Sequence, residues 1–270
     1  MKKAMLLSAL VLSSLGLASA AVGADKPRVL ISEDFNETDK KGLAAAALRN
    51  PKITLAKQAG PDGSDAIRVA YVGYKRGSER VVFRYPIGAK VDEATLSFDV
   101  RFDRDFQWTH GGKLHGLGPR KPITGGKERK PDGWSARVMF KKDGRCATYL
   151  YDQDEKKKYG VGYTSGHPVF AAGKWHRVVL QVKLNDPGQS NGYARILIDG
   201  KEAVRSERIA FRGKGGDDTL LQQFLFSTFH GGNTSKWAPM DKNGQPTTVH
   251  AYFDNFTVVE GIQGPRVAGR

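Results

Sequence analysis

Between residues 94 and 103 the chain alternates without a break. Leu96, Phe98, Val100 and Phe102 are apolar, while Ser97, Asp99, Arg101 and Asp103 between and after them are polar. A period of two sends successive side chains to opposite faces of an extended strand, so this segment must lie in a sheet with one face covered. Seven other segments, 28–35, 66–71, 79–85, 175–184, 193–198, 222–229 and 249–258, are short runs rich in β-branched and aromatic residues and read as strands. Turn signals separate the runs, among them Pro61-Asp62-Gly63, Asp143-Gly144, Asn191-Gly192 and Asp199-Gly200. Strands that do not alternate with helices predict an all-β sandwich. The alanine-rich stretch 41–49 is a good local helix former, but it is short and alone. With no internal repeat and no shift in composition, residues 25–260 read as a single domain, followed by a patternless tail at 261–270 that is expected to be mobile.

One predicted hairpin concentrates polar groups. WSARVMF and CATYLYD flank a KKDG turn. If Lys142, Asp143 and Gly144 form a three-residue loop with Gly144 at positive φ, Lys141 pairs with Arg145. Arg137 then faces Tyr149 across the strands and Ser135 faces Tyr151, all four on one side of the sheet. Trp134, Ala136, Val138, Phe140, Cys146, Thr148 and Leu150 take the core side. A cationic, hydroxyl-rich patch on a rigid sheet suits an anion. The preceding GGKLHGLG reads as a loop carrying Lys113, and the Gly-, Pro- and Lys-rich stretch 119–132 reads as a longer loop able to cover a cleft.

Charge points the same way. The chain carries 43 basic and 28 acidic residues, for a formal net charge of +15. Residues 1–24 have the form of a signal peptide: Lys2 and Lys3, an apolar run, then small residues before a cleavage point at Ala20 or Ala24. The expectation is therefore a secreted or periplasmic protein with no membrane span. For an exported basic protein the anionic partner is an acidic polysaccharide rather than nucleic acid, which would want aromatics interleaved along a basic groove. The single cysteine, Cys146, excludes an internal disulfide and is expected to pack.

The segments GGKLHGLG, GWSARVMF, YLYDQ, GKWHRVVLQVKLN, NGYARILIDGK, FLFSTFHGG and YFDNFTV, in that order, resemble the family 14 polysaccharide lyases. The likeness runs over roughly 80–258. It implies a β-jelly roll of two antiparallel sheets, concanavalin A-like, whose concave face grips a uronic-acid chain such as alginate or glucuronan. It also implies β-elimination without a cofactor. The positions that match the family's active site are Lys113, Ser135, Arg137, Tyr149 and Tyr151. The chain departs from the family pattern at His115, where proline is common, and at His230, where an aromatic is common.

β-Elimination from a uronate removes the C5 proton beside a carboxylate and expels the C4 oxygen, so a cation must sit at the carboxylate. Arg137 can hold it bidentately, Lys113 supplies a point charge, and Ser135 adds a neutral hydrogen bond. Neighbouring cations favour phenolate, which makes Tyr151, with Tyr149 as its partner, the expected acid/base residue; Lys113 is the alternative base. Arg80, Lys183, Tyr193, Arg195 and His230 are candidate substrate contacts. No histidine spacing suggests a catalytic metal, although Asp34 and Asp254 on the first and last strands could share a structural calcium. The chain is expected to act as a monomer. The rival readings are a non-catalytic module binding acidic glycans and a glycoside hydrolase. The hydrolase needs two opposed carboxylates, which Asp152, Asp154 and Glu155 are not spaced to provide.

Overall fold

The computed structural model describes residues 26–37, 41–154 and 157–264. The expected signal peptide and most of the expected tail lie outside the described residues. In chain order the elements are β1 (Val29–Glu33), α1 (Gly42–Leu48), β2 (Ile53–Ala56), β3 (Ala66–Tyr74), β4 (Gly77–Ser78), β5 (Val81–Val91), β6 (Glu93–Phe102) and β7 (Gly111–Gly118). They continue with β8 (Ser135–Lys141), β9 (Cys146–Tyr151), β10 (Trp175–Lys183), β11 (Gly192–Ile198), β12 (Lys201–Ile209), β13 (Leu221–His230) and β14 (Thr248–Glu260). Among the described residues no helix is long and apolar enough to cross a membrane.

The strands form two antiparallel sheets packed face to face, a β-jelly roll. The smaller sheet runs β5-β13-β7-β8-β9. The larger runs β12-β11-β10-β6-β14-β3-β2, with β1 against β14 and β4 against β3. Every apolar residue of the opening alternation points between the sheets: Leu96, Phe98, Val100 and Phe102 are fully buried. From the smaller sheet Trp134, Ala136, Val138, Phe140 and Leu150 meet them. Trp134 also donates its indole N–H to the Thr219 carbonyl at 2.7 Å, so its one polar atom is satisfied inside the core.

All eight expected strands are present, and 41–49 shortens to the helix α1. Four strands were not foreseen: β2, β4, β7 and β12. The correction that matters is β7, because GGKLHGLG is a central strand and not a loop. Its glycines argue against strand on propensity, yet they are what the sheet requires there. A Cβ at Gly116 would collide with the Ala136 carbonyl and the stem of Arg137, and one at Gly112 with the Phe140 ring. Side chains from β8 therefore lie across a strand that has none at those positions.

Candidate active site on the smaller sheet

The outer face of the smaller sheet carries a cavity of about 1030 Å³, lined by residues of β5, β7, β8, β9 and β13 and by the loops around them. The hairpin β8–β9 pairs Ser135 with Tyr151 and Arg137 with Tyr149, the expected register. Asp143 and Gly144 in the connecting turn both have positive φ, at 59° and 71°. Lys113 reaches the cavity through an irregularity. It pairs with Met139 and Gly116 pairs with Arg137, so three steps along β7 answer two along β8. In an unbroken strand Lys113 would share the face of Leu117, which is buried in the core. The extra residue of this bulge turns Lys113 to the cleft and lets both Leu114 and His115 point inward.

Three groups converge there. The Lys113 ammonium lies 4.7 Å from the centre of the Tyr149 ring and the Arg137 guanidinium 5.2 Å from it. Burial drives the Lys113 amine down to about 7, and the charges of Arg137, Lys141 and Arg80 press in the same direction. At neutral pH a large fraction of Lys113 is therefore the free amine, a base. Tyr149 moves the opposite way. Burial, then its neighbour Tyr151, raises its phenol above the ordinary tyrosine value, and the opposing pull of Arg137 is smaller. At Tyr149 desolvation thus outweighs the nearby cations that would favour phenolate. Arg137, 6% exposed, has a buried Nε with no hydrogen-bond partner, a donor left for a ligand.

Tyr151 and Ser135 do not line the cavity. Both are fully buried, because the 119–132 loop folds over them. Ser135 donates to the Ile123 carbonyl at 2.7 Å, and the Tyr151 hydroxyl accepts the Gly126 N–H at 2.8 Å while Arg129 covers its ring. The Tyr151 hydroxyl also lies 3.5 Å from that of Tyr149, so the two phenols adjoin as expected, with Tyr149 the one that lines the cavity. Arg80 does line the cavity, 5.8 Å from the Phe229 ring.

The remaining expected contacts lie elsewhere. Lys183, Tyr193 and Arg195 stand on β10 and β11 of the larger sheet, on its outer face. Lys183 pairs with Glu93 at 2.8 Å, and Arg195 bonds Gln181 and Glu202. Their alternation identified a polar face, but of the wrong sheet. His230 is 1% exposed, stacked on Phe106, and its Nε2 bonds the Gln107 carbonyl at 2.7 Å. Burial lowers it to about 4, so it stays neutral and structural. His115 is likewise buried, ringed by Phe98, Phe226, Phe253 and Phe256.

Residues not foreseen complete the wall. Lys141 and Met139 share the parity of Ser135 and Arg137, and that signal was available in the sequence. Trp237 had no such signal. It sits on a short turn after β13, its ring against the backbone of Gly232, with the Lys113 and Lys141 nitrogens 5.7 and 5.5 Å from its centre. As for calcium, the Asp254 carboxylate accepts hydrogen bonds from Ser64 and from the Asn255 N–H, and Asp34 accepts from the Asn36 N–H. Among the described residues no group of three or more His, Cys, Asp or Glu side chains is placed to hold a metal ion.

The family model for polysaccharide lyase 14 matches residues 76–256. The exolysin of Paramecium bursaria Chlorella virus 1 is 24% identical over 180 residues, which are 55% of this chain and 27% of that protein. The chain thus spans about a quarter of the length of this curated relative. Among solved structures, the marine PL-14 alginate lyase from Aplysia kurodai superposes with a TM-score of 0.65 at 21% identity, covering 86% of this chain and 99% of that one. An endo-β-1,4-glucuronan lyase from the fungus Trichoderma reesei superposes with a TM-score of 0.58 at 17% identity, covering 89% and 99%. At these identities the superpositions speak for a shared fold.

Proposed function

Because the chain belongs to polysaccharide lyase family 14, we propose that it cleaves an acidic polysaccharide built of uronic acids, of the alginate or glucuronan kind, by β-elimination. The observation that carries this reading is the pairing of Lys113, a lysine whose amine is half free near pH 7, with Tyr149, a phenol held protonated, on one cavity wall beside Arg137. Opposite protonation states in adjacent groups supply a base and an acid at the same pH.

In this mechanism Arg137, assisted by Arg80, binds the uronate carboxylate and spreads the charge that develops when C5 loses its proton. The Lys113 amine takes that proton. The C5–H electron pair forms the C4–C5 double bond, the C4–O bond breaks, and the leaving oxygen receives the Tyr149 proton. Lys113 is then an ammonium and Tyr149 a phenolate, so one proton returned between them restores both. These steps use side chains alone. Ser135 and Tyr151 act behind them, by holding the 119–132 loop. We also propose that the protein works outside the cytoplasm, as its leader-like first residues suggest.

The test is to incubate the purified protein with polyglucuronate, polymannuronate and polyguluronate and follow the ultraviolet absorbance of the unsaturated uronate. Absorbance growing with at least one polymer is the expected result. New reducing ends without absorbance would mean hydrolysis, and retention of polymer without either would mean a binding module.

A further inference from the structure

The outer face of the larger sheet, on the far side of the core from the cleft, carries a row of four side chains at one register. Trp175 on β10 pairs with Arg101 on β6, Arg101 with Tyr252 on β14, and Tyr252 with Arg68 on β3. Aromatic and cation alternate along it. The Arg101 guanidinium lies 5.2 Å from the Trp175 ring centre and 4.4 Å from that of Tyr252, so two rings hold it in place.

The other cations of this face are neutralised. Arg177 pairs with Asp99 at 3.3 Å, Lys183 with Glu93 at 2.8 Å, and Arg195 and Arg205 with Glu202 at 3.4 and 2.7 Å. Among the described residues Arg68 and Arg101 make no ion pair and no side-chain hydrogen bond, and the Arg68 Nε is buried without a partner. Asp103, Asp105 and Arg68 all lie near His250 at one edge of the row, and among the described residues no ion pair joins either carboxylate to an arginine. A sheet stabilised by its own charges would pair these two as it pairs the rest. Two positioned guanidinium groups with unmet donors are complementary to carboxylates.

We propose that this row is a second, non-catalytic binding site for an acidic polysaccharide, the uronate carboxylates taking the open donors of Arg68 and Arg101. The two arginines are two strands apart, about 10 Å, which is close to the length of a disaccharide in an extended 1,4-linked chain. A polymer laid across the strands therefore meets a cation at every second sugar. Such a site keeps the enzyme on a polymer or gel whose ends and loops feed the cleft, and it raises effective substrate concentration for long chains only. The identity of the polymer rests on the lyase reading; the existence of the site does not.

The experiment compares the full-length wild type with Arg68→Gln/Arg101→Gln and with Arg68→Lys/Arg101→Lys. Binding to soluble polymannuronate and polyglucuronate is read by calorimetry, and turnover by absorbance on a uronate tetrasaccharide. A further pair carries Lys113→Ala with Arg80→Gln and Arg137→Gln, which removes both turnover and the cleft's carboxylate contacts, so that binding at the row is read alone. The expected result is a polymer Kd raised about tenfold by the Gln pair, as loss of two solvent-exposed ion pairs implies. The Lys pair should recover part of it, and tetrasaccharide turnover should stay within about twofold of wild type. An unchanged polymer Kd overturns the proposal. So does a parallel loss of tetrasaccharide turnover, the mark of a damaged fold, and so does competition by polyglutamate equal to that by uronan, the mark of a surface that reads charge alone. If wild type cleaves no uronan, the lyase reading fails while the binding measurement still decides the second site.

Discussion

Lys141→Met isolates the electrostatic control of Lys113. The two ammonium nitrogens lie 5.7 and 5.5 Å from the centre of the Trp237 ring, so they are at most about 11 Å apart. At that separation and an effective dielectric near 20, two unit charges repel by about 1.5 kcal/mol, which is about one pKa unit. Salt screening lowers this toward half a unit. Removing Lys141 should therefore lift the Lys113 amine from about 7 by half to one unit, against a larger contribution from burial that stays. A base is active when deprotonated, so kcat/KM should climb with pH through that value and the climb should move to higher pH in the variant. On the acid side the rate should fall by about 3- to 10-fold, while the alkaline plateau holds apart from weaker substrate attraction. The assay is the initial rate of ultraviolet absorbance at uronan concentrations well below KM, from pH 5 to 10 at constant ionic strength, with Lys141→Arg as the charge-conserving control. An acid limb that stays put or moves to lower pH would refute the assignment of that limb to Lys113.

Tyr149→Phe should lower kcat by at least about 100-fold, the usual worth of a positioned acid. Tyr151→Phe should cost about 1 kcal/mol of stability through the lost Gly126 bond and less than tenfold in kcat; equal losses in the two would return Tyr151 to the chemistry. Lys113→Met should stabilise the fold by a few kcal/mol at most below pH 7, where the native protein must hold a buried ammonium. That gain should fade between pH 7 and about 10, as the native amine becomes neutral while the unfolded one stays charged; chemical denaturation at pH 6 and pH 9 measures it. Gly232→Ala would drive a methyl into the Trp237 ring and should raise KM for uronan more than it lowers kcat, a split that steady-state kinetics reads directly.

Pattern along the chain was enough to find the hairpin, because the pairing of Ser135 with Tyr151 and of Arg137 with Tyr149 follows from a turn and a period of two. Three things were hidden. A bulge has no signature in GGKLHGLG, whose glycines read as a loop, and a single extra residue of β7 is what aims Lys113. Parity says which face a side chain takes but not which sheet it belongs to, and Lys183, Tyr193 and Arg195 were misplaced for that reason. Burial by a distant loop is also silent in the local sequence: Tyr151 and Tyr149 are two residues apart on one strand, and only the 119–132 loop makes one of them inaccessible.

Cys146, the chain's one thiol, lies fully buried on the core side of β9, where burial pushes it up to about 12. The exterior is thus silent toward maleimides and other thiol reagents at neutral pH. A cysteine introduced at Lys127, exposed on the loop that covers Tyr151, would be the one reactive position in the molecule. A fluorophore there could follow the loop during turnover, with the native sequence as its own unlabelled blank.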